Sequence, residues 1–397
     1  MNLHKIPDSS LQGTPPDPGP KYDIQLLFPV LTLVGVGIIM VYSASSALAI
    51  KKFGTGYYFL KRQAIFAMIG LVALVVCRHF PLKLLHALTY PLLLISFVLL
   101  AAVVSGAGYS VGGATRWLRF GDFSFQPSEF TRFALLVYLA YSMSKKQDRL
   151  HVFTIGFVPH VVVLGLFILL ILLQPDFGSA VILGAVTWIM MFVGGVRLTY
   201  LLSSLLVLTP VAYFFLVSAE YRLQRLISFW DPWAYATEGG YQIVHSLMAF
   251  GTGGFWGAGL GNGYQKLFYL PEPHTDFIFS VIGEELGFFG VLVILGLYSL
   301  ILIRGIRIAM GAQDPFASFL AMGLTAALGL QVCVNMGVAL ALLPTKGLTL
   351  PFLSYGGTSL LLNMASIGVL MNIREKQNAS AENEEWKPKG RRQVTTR

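Results

Sequence analysis

The sequence predicts an all-α polytopic membrane protein, and three features of the chain support this fold class. The 397 residues are 55% hydrophobic and 12% charged, and this charged fraction is about half that of a soluble globular domain. The apolar residues form about ten runs, each close to the roughly 20 residues that an α-helix needs to cross a bilayer. The basic residues lie mostly between or beyond these runs, which favours membrane-flanking positions over a nucleic-acid partner.

These runs define one membrane domain, residues 23–374, between polar tails at 1–22 and 375–397 that are predicted to be disordered. Cys77 and Cys333 both lie inside apolar runs, so neither a disulfide framework nor a cysteine metal site is expected. An even number of spans places both tails on one side of the membrane. The candidate spans lie near 24–46, 61–80, 84–105, 129–144, 152–173, 178–195, 199–219, 277–303, 316–342 and 357–373.

Two connections on the side opposite the tails are long, at about 106–128 and 220–276, and both are rich in glycine and aromatic residues. Within the second, RLQRLISFWDPW (222–233) mixes arginine with aromatic and aliphatic residues. That mixture is typical of a helix in the membrane interface, although a plain amphipathic connector fits equally well. Seven glycines between positions 251 and 263 match no phosphate-binding motif, so they predict tightly packed loop backbone.

Ionisable residues within or at the ends of spans cost free energy in a bilayer and therefore indicate function. Glu129 and Arg132 are spaced for an ion pair on one helix face, which alone would explain them as a structural pair. Apart from two deeper glutamates, the ionisable residues fall at the non-tail ends of their spans and could converge on one polar cavity. The set comprises Glu129, Arg132, Asp176, Asp276, Glu284, Glu285 and Lys346.

The glutamates at 284 and 285 lie about two turns inside the eighth span. At 100° per residue, Glu284 is about 80° from Asp276 and can border the same cavity, whereas Glu285 faces away. Internal hydrogen bonding that holds helices together is the alternative role for both glutamates, and a helix cap is the alternative role for Asp276. His274 alone, with scattered carboxylates, more often has a structural or interfacial role than a metal-binding one.

Four sequence blocks resemble, in order, the signature blocks of the SEDS family (shape, elongation, division and sporulation). The resemblance runs from about Tyr22 to Arg374, and VIGEELG is closer to the cell-division member of the family than to its elongation member. Where the family commonly has lysine, this chain has Arg132, whose planar guanidinium differs in geometry from an ammonium. The blocks are RWLRFGDFSFQPSEFTR (116–132), QPDFGSA (174–180), LPEPHTDFIFSVIGEELG (270–287) and LLPTKGLTLPFLSYGGTS (342–359).

The resemblance implies a ten-span glycosyltransferase of the bacterial inner membrane, with cytoplasmic tails and an active site on the periplasmic side. It implies polymerisation of lipid II for septal cell-wall synthesis, with a class B penicillin-binding (FtsI-like) transpeptidase and other divisome membrane proteins as partners. The essential carboxylate of the family falls on Asp276. No organic cofactor is implied. The distribution of Lys and Arg between the two sides does not by itself fix the orientation.

Glycan polymerisation requires a sugar hydroxyl to attack an anomeric carbon, so a carboxylate that accepts the hydroxyl proton is expected to accelerate it. Asp276 is the candidate base, or else a ligand of Mg²⁺ or Mn²⁺, and basic side chains would stabilise the departing diphosphate. The open alternatives are a lipid II flippase or transporter, an elongation-type (RodA-like) polymerase and a non-catalytic division scaffold. The candidate substrate-binding residues are Arg116, Glu129, Arg132, Asp176, His274, Glu284 and Lys346.

Overall fold

A computed structural model describes residues 22–111, 114–121, 123–217, 220–267 and 269–385. Nearly all of the predicted N-terminal tail lies outside these residues. Helices make up most of the described chain, and each of the ten predicted spans coincides with helical structure. The helices are α1 (Ile24–Phe53), α2 (Tyr58–His79), α3 (Leu82–Ala87), α4 (Thr89–Ala102), α5 (Pro127–Lys145), α6 (Val158–Leu172), α7 (Phe177–Val193), α8 (Leu198–Val217), α9 (Glu220–Trp230), α10 (Tyr241–Gly253), α11 (Ile278–Gly311), α12 (Pro315–Ala339) and α13 (Gly357–Glu385).

By length and composition, six helical segments of the described chain can cross a membrane. They comprise α1, α2, α11, α12 and the segments Thr89–Ala107 and Phe153–Leu172, which contain α4 and α6. The helix α7 and the first part of α8 are apolar but shorter. The remaining predicted spans correspond to α5 and α13, whose faces are largely buried by neighbouring helices. The prediction of an all-α polytopic membrane protein is confirmed.

The helices pack around α11, α12 and α13, with α13 against α2, α11 between α1 and α12, and α5 against α12. Since lipid is as apolar as leucine, helix association in a membrane depends on close van der Waals packing and on small residues at the contact. Gly368 of α13 illustrates this, because a Cβ there would lie 2.3 Å from the carbonyl oxygen of Leu74 in α2. Any larger residue at this position would separate the two helices.

The first long loop contains a three-stranded antiparallel sheet, which the all-α prediction did not include. The β2 and β3 strands pair through Leu118 with Phe125 and through Phe120 with Phe123, so two residues, Gly-Asp in the sequence, join them. Gly-Asp between aromatic residues is a hairpin signal, and it was detectable in the sequence. The strands are β1 (Tyr109–Val111), β2 (Ala114–Phe120) and β3 (Phe123–Phe125).

The second long loop contains α9 and α10 and returns to α11. The stretch predicted to form an interfacial or amphipathic helix is largely α9, in which Arg225 is exposed and Leu226 is partly buried. The helix ends at Trp230, whose ring is 80% exposed. An exposed tryptophan on a helix that also carries an exposed arginine is consistent with a position at the membrane surface.

Helix α11 is interrupted at Gly287, whose φ of 67° and ψ of −168° are not helical. The backbone of the preceding loop forms hydrogen bonds with the carbonyls and amides of α11 that lose their helical partners at the break. On one side of the break, the amides of Ala258 and Gly259 donate to the carbonyls of Glu284 and Glu285 at 2.9 and 3.0 Å. Beyond it, the amides of residues 288 and 289 donate to the carbonyls of residues 254 and 255. Irregular backbone at membrane depth is tolerated when protein satisfies it in this way.

The glycines of this loop have the packing role that the sequence analysis predicted. Gly257 has a φ of +80°, and a Cβ there would lie 2.2 Å from the carbonyl oxygen of Glu285. At Gly287, an added Cβ would lie 2.3 Å from the amide nitrogen of Gly257. The two backbones therefore touch at a distance that admits only glycine on both sides.

We expect Gly287→Ala to lower the unfolding temperature, because it introduces both a positive-φ penalty and a backbone clash. The backbone strain alone should cost about 1–2 kcal/mol. The control is Gly296→Ala in the same helix, where a Cβ would meet no atom within 4 Å. Thermal unfolding of the purified wild type and the two variants in detergent measures the difference. Equal unfolding temperatures would contradict the proposed contact.

Helix α13 continues to Glu385, past residue 375, where the C-terminal tail is predicted to begin. The residues from 375 onwards include KQNASAENEE, and lysine, glutamine, alanine and glutamate are good helix formers that need no apolar partner to extend an existing helix. Near the start of this extension, Glu375 pairs with Arg78 of α2 at 3.2 Å. Residues 386–397 lie outside the described residues.

Candidate active site

Two loops on the side opposite the tails meet at the C-terminal end of α12. The side-chain amide of Asn335 donates to the carbonyl of Asp276 at 3.0 Å and to that of Leu348 at 2.5 Å. Asn335 is buried within a mainly apolar helix. It therefore fixes the segment before α11 against the segment that links α12 to α13.

Four of the predicted residues come together where these loops meet the sheet and α7. Asp276 Oδ2 and Arg116 Nη2 both lie within 4 Å of the position that a Cβ at Gly347 would occupy. The other terminal nitrogen of Arg116 is 3.6 Å from Asp176 Oδ1. Lys346 lies over the ring of Phe177, the first residue of α7, at 5.1 Å. The polar cluster is defined as Arg116, Asp176, Asp276 and Lys346.

Asp176 is the most firmly held member of the polar cluster. It is the N-cap residue of α7, where its carboxylate accepts from the backbone amide of Ser179 at 3.2 Å and from the Ser179 hydroxyl at 2.7 Å. Such caps stabilise a helix by about 1 kcal/mol. Because its orientation is fixed, the Asp176 carboxylate also holds the guanidinium of Arg116. The Nε atom of Arg116 is buried and has no hydrogen-bond partner among the described residues.

The Asp276 carboxyl has a pKa raised from 3.8 to about 7. Burial is the main cause, and the negative charge of Glu272 adds to it, while Arg116 and Arg225 oppose the shift. A carboxyl with a pKa near neutrality can exist in both protonation states under physiological conditions. That property suits a general base, whose pKa should lie close to the working pH.

Burial lowers the pKa of the Lys346 ammonium, and no other cause contributes to its shift. A cation in a poorly solvated position interacts more strongly with a nearby anion than one in water. Lys346 directly precedes Gly347, whose backbone lies beside the Asp276 carboxylate, while the Lys346 ammonium itself lies over the Phe177 ring. The polar cluster therefore combines a base of raised pKa with two cationic side chains.

His274 lies near the polar cluster but in an aromatic environment. Its ring is 4.5 Å from the ring of Phe59 and 5.7 Å from that of Tyr355, between centroids, and its carbonyl accepts from the Tyr355 amide at 2.9 Å. Burial lowers the pKa of the imidazole to about 4, with Glu272 opposing the shift. His274 is therefore neutral at physiological pH, and it packs the loop that carries Asp276 against α2.

Glu129 and Arg132 form the predicted ion pair at 2.6 Å, but the structure does not bring it into the polar cluster. Both side chains are almost fully buried and line a small cavity with residues of α12 and α13, including Leu324 and Asn363. Arg132 thus faces the interior of the helix bundle. Its role beside a substrate diphosphate stays a prediction.

Glu284 is also absent from the polar cluster. Its side chain is fully buried and accepts hydrogen bonds from the backbone amides of Tyr264 at 2.7 Å and Gln265 at 3.2 Å. The neighbouring Glu285 accepts from Ser43 and pairs with Lys266 at 2.5 Å. Internal hydrogen bonding, the alternative role considered for both glutamates, describes these contacts.

Three residues that influence Asp276 had no place among the candidate site residues. Glu272 and Arg225 act on its pKa through their charges, and Asn335 holds its backbone. Arg225 was noted in the sequence only as part of an interfacial helix. Asn335 had a detectable signal, because an amide inside an apolar span requires a partner. Glu272 stands in the same block as Asp276 and had no separate signal.

A divalent cation would find few protein ligands here. Among the described residues, no three His, Cys, Asp or Glu side chains are placed to hold a metal ion. Asp276 is accompanied by Arg116, and the carboxylate of Asp176 is engaged by Ser179. Mg²⁺ is commonly bound by one or two carboxylates together with substrate phosphates and water. The site fits such an ion where a bound diphosphate supplies most of the oxygen ligands.

A protein-family model described as a cell cycle protein, covering FtsW, RodA and SpoVE, matches residues 24–379. The chain belongs to this family. It is the same family whose signature blocks the sequence resembles, and the match extends over all thirteen helices except the end of α13. Membership fixes the polytopic membrane architecture and makes the chain a multi-pass membrane protein.

Relatives in the FtsW/RodA/SpoVE family are similar over nearly their whole length. The probable peptidoglycan glycosyltransferase FtsW of Trichlorobacter lovleyi is 51% identical over 354 residues, which cover 89% of this chain and 93% of the relative. The stage V sporulation protein E of Bacillus subtilis is 42% identical over 352 residues, covering 88% and 96%. Alignments of this length span the positions of both long loops.

Solved structures of the family share the fold. One chain, described under "Structural coordination of polymerization and crosslinking by a peptidoglycan synthase complex", has a TM-score of 0.75 and 29% identity, covering 90% of this chain and 98% of that chain. The crystal structure of the rod shape determining protein RodA of Thermus thermophilus has a TM-score of 0.65 and 29% identity, covering 90% and 97%.

Proposed function

We propose that this protein is a peptidoglycan glycosyltransferase that polymerises lipid II into β-1,4-linked glycan strands. The observation that carries this proposal is the polar cluster, in which a carboxylate with a pKa of about 7 lies beside Arg116 near the ends of several membrane helices. The names of close relatives support the same reaction, since several are called probable peptidoglycan glycosyltransferase FtsW.

In the proposed reaction, the Asp276 carboxylate accepts the proton of the 4-hydroxyl of the acceptor GlcNAc. The hydroxyl oxygen forms a bond to C1 of the donor MurNAc on the face opposite the lipid diphosphate. The bond between C1 and the diphosphate oxygen breaks, and the electron pair leaves with the lipid diphosphate. Attack from the opposite face converts the α-linkage of the donor into a β-linkage. General-base assistance of this kind typically contributes about 10²–10⁴-fold.

Arg116 and Lys346 would stabilise the negative charge that gathers on the departing diphosphate. Asp176 orients Arg116 from one side, which leaves the other edge of the guanidinium to the substrate. Fixed cations aimed at developing charge are a major source of rate acceleration in buried sites. In the alternative role, Asp276 would hold Mg²⁺ or Mn²⁺ instead of accepting the proton, and the ion would help to neutralise the diphosphate.

The position of the polar cluster suits a substrate that is anchored in lipid. The polyprenyl tail of lipid II stays in the bilayer, and its diphosphate lies at the interface. Asp176 and Asp276 lie just before α7 and α11, at the ends of these helices opposite the tails, which supports a position at that depth. We assign this side to the periplasm and both termini to the cytoplasm.

We further assign the protein to septal synthesis in cell division, with a class B penicillin-binding transpeptidase as its partner. The similarity to FtsW proteins supports the division role. The partner is supported by the related chain from a structure of polymerization and crosslinking by a synthase complex.

The test of the proposed function is glycan synthesis from purified lipid II in detergent, with the transpeptidase partner present. Detergent offers no second compartment, so a lipid flippase or transporter would produce no polymer there. We expect glycan strands that a muramidase digests. Failure to form polymer with the partner present would contradict the enzyme function, and transport of labelled lipid II by vesicles containing the protein would then favour the transporter.

Glu272→Gln should shift the pH dependence of polymerisation to lower pH. The charge of Glu272 raises the pKa of Asp276, so its removal lowers the pH at which Asp276 becomes an ionised base. The initial rate of polymerisation, measured across the neutral pH range, gives the midpoint. Glu238→Gln is the control, because Glu238 is an exposed carboxylate of the same loop. Identical midpoints in wild type and Glu272→Gln would contradict the assignment of Asp276 as base.

A further inference from the structure

A second cavity lies at the tail-side end of the helices, far from the polar cluster. It has a volume of about 790 Å³ and is enclosed by α3, the C-terminal end of α5, the N-terminal end of α12 and the middle of α13. The cavity lies at the N-terminal end of α12 and the loops of the polar cluster lie at its C-terminal end. The 25 residues of this helix span about 37 Å along its axis. The proposed chemistry makes no use of this cavity.

The lining divides into an apolar floor and a basic rim. Leu82, Phe316 and Ile373 form the floor, and each is at most 6% exposed. The rim carries Lys83 from α3, Lys145 from the last turn of α5 and Lys376 from α13, all three of which are exposed. Three separate helices thus each contribute one lysine to the same opening.

One carboxylate, that of Asp314, is among the described residues that line the cavity, and it accepts a hydrogen bond from the backbone. Its Oδ1 accepts from the amide of Phe316 at 3.3 Å as the N-cap of α12. The positive end of the α12 dipole points toward this cap. Among the described lining residues there are three lysines and one carboxylate, so the lining favours an anionic occupant.

We infer that this cavity binds an anionic phospholipid, with its phosphodiester at the lysine rim and the start of an acyl chain on the apolar floor. Basic pockets between membrane helices are the kind of site that recognises acidic headgroups. A free phosphate ion would satisfy the lysines but would leave the floor of Leu82, Phe316 and Ile373 without a partner. The last residues of the chain, 386–397, are basic and contain no carboxylate side chain, so they do not complement the rim.

The test measures lipid binding by the full-length protein, purified in a neutral detergent. Phosphatidylglycerol and phosphatidylcholine with matched acyl chains are added separately, and native mass spectrometry and the unfolding temperature report binding. We expect the protein to bind phosphatidylglycerol at least tenfold more tightly than phosphatidylcholine. Lys83→Gln, Lys145→Gln and Lys376→Gln together should abolish this preference, since each lysine near an acidic headgroup contributes about fivefold.

The matched control neutralises Arg149, Arg197 and Arg307, three exposed basic residues at the same end of the helices and outside the lining. It should bind phosphatidylglycerol like the wild type. The inference is overturned if the lysine variant keeps the lipid preference, if the control loses it equally, or if inorganic phosphate stabilises the protein as well as the lipid does. If the triple variant does not fold, the three single variants replace it, and each should lose about fivefold.

Discussion

Asp276→Asn is expected to reduce the rate of glycan polymerisation by about 10²–10⁴-fold, the usual contribution of a general base. The substitution keeps the size of the side chain and removes its ability to accept a proton. It leaves the backbone carbonyl that Asn335 holds unchanged. Initial rates from lipid II in detergent, with the partner present and with or without added Mg²⁺ or Mn²⁺, measure the effect.

The same substitution should not destabilise the protein, and it should raise the unfolding temperature above neutral pH. The fold raises the pKa of Asp276 from 3.8 to about 7, so the folded state retains a proton that the unfolded state releases between these values. Stability therefore falls as the pH rises through this window, and asparagine removes that cost. Loss of activity together with loss of folding would instead indicate a structural role for Asp276.

Asp231→Asn provides the matched control for this experiment. Asp231 is an exposed aspartate of the same long loop, and its carboxylate accepts from the amide of Ala234 at 3.1 Å. Asparagine can accept the same hydrogen bond, so polymerisation should continue at the wild-type rate. If both variants lost activity equally, the effect would belong to the charge of the loop and not to proton transfer.

The sequence predicted the helices because each span carries its own apolar signal, whereas contacts between distant segments carry none. The segments that carry Asp276 and Lys346 could be predicted to meet, because Asp276 precedes the eighth span and Lys346 follows the ninth at the same end of the bundle. Glu284 was predicted to border the cavity of Asp276 from the angle between the two residues on a regular helix. That angle does not reveal that the backbone amides of Tyr264 and Gln265 donate hydrogen bonds to the Glu284 carboxylate. No pattern in the sequence identifies which backbone donors will fold back onto a carboxylate.

Arg132 shows the same limit in a different form. Its spacing from Glu129 predicted the ion pair that the structure contains. The spacing gives no direction for that pair, which faces α12 and α13 rather than the loops. The short sheet that carries Arg116 was missed for another reason, because the first long loop was read only by its glycine and aromatic content. Its two-residue turn would have indicated a hairpin.

Glu285→Gln is expected to destabilise the protein by about 3–5 kcal/mol, the usual cost of removing one partner from a buried ion pair. Lys266 contacts Glu285 at 2.5 Å and Ser43 at 2.8 Å, and the two charged side chains are 6% and 0% exposed. The glutamine would leave the lysine charge buried without a counter-charge. Thermal unfolding in detergent and limited proteolysis of the loop before α11 measure the change.

Two further variants distinguish the cost of leaving the buried Lys266 charge unpaired from the cost of losing any ion pair. Glu375→Gln breaks the pair with Arg78 at the tail side, where the glutamate is 57% exposed and the Arg78 side chain, 4% exposed, also lies over the Tyr22 ring at 3.7 Å. Because one partner is solvated and the cation keeps its aromatic contact, this variant should cost less stability than Glu285→Gln. Lys266→Met with Glu285→Gln removes both charges and should recover much of the lost stability. Because the segment after Lys266 leads directly to Asp276, Glu285→Gln should also slow polymerisation, and the double variant should restore it. Equal unfolding of Glu285→Gln and Glu375→Gln would show that the loop is held by other contacts.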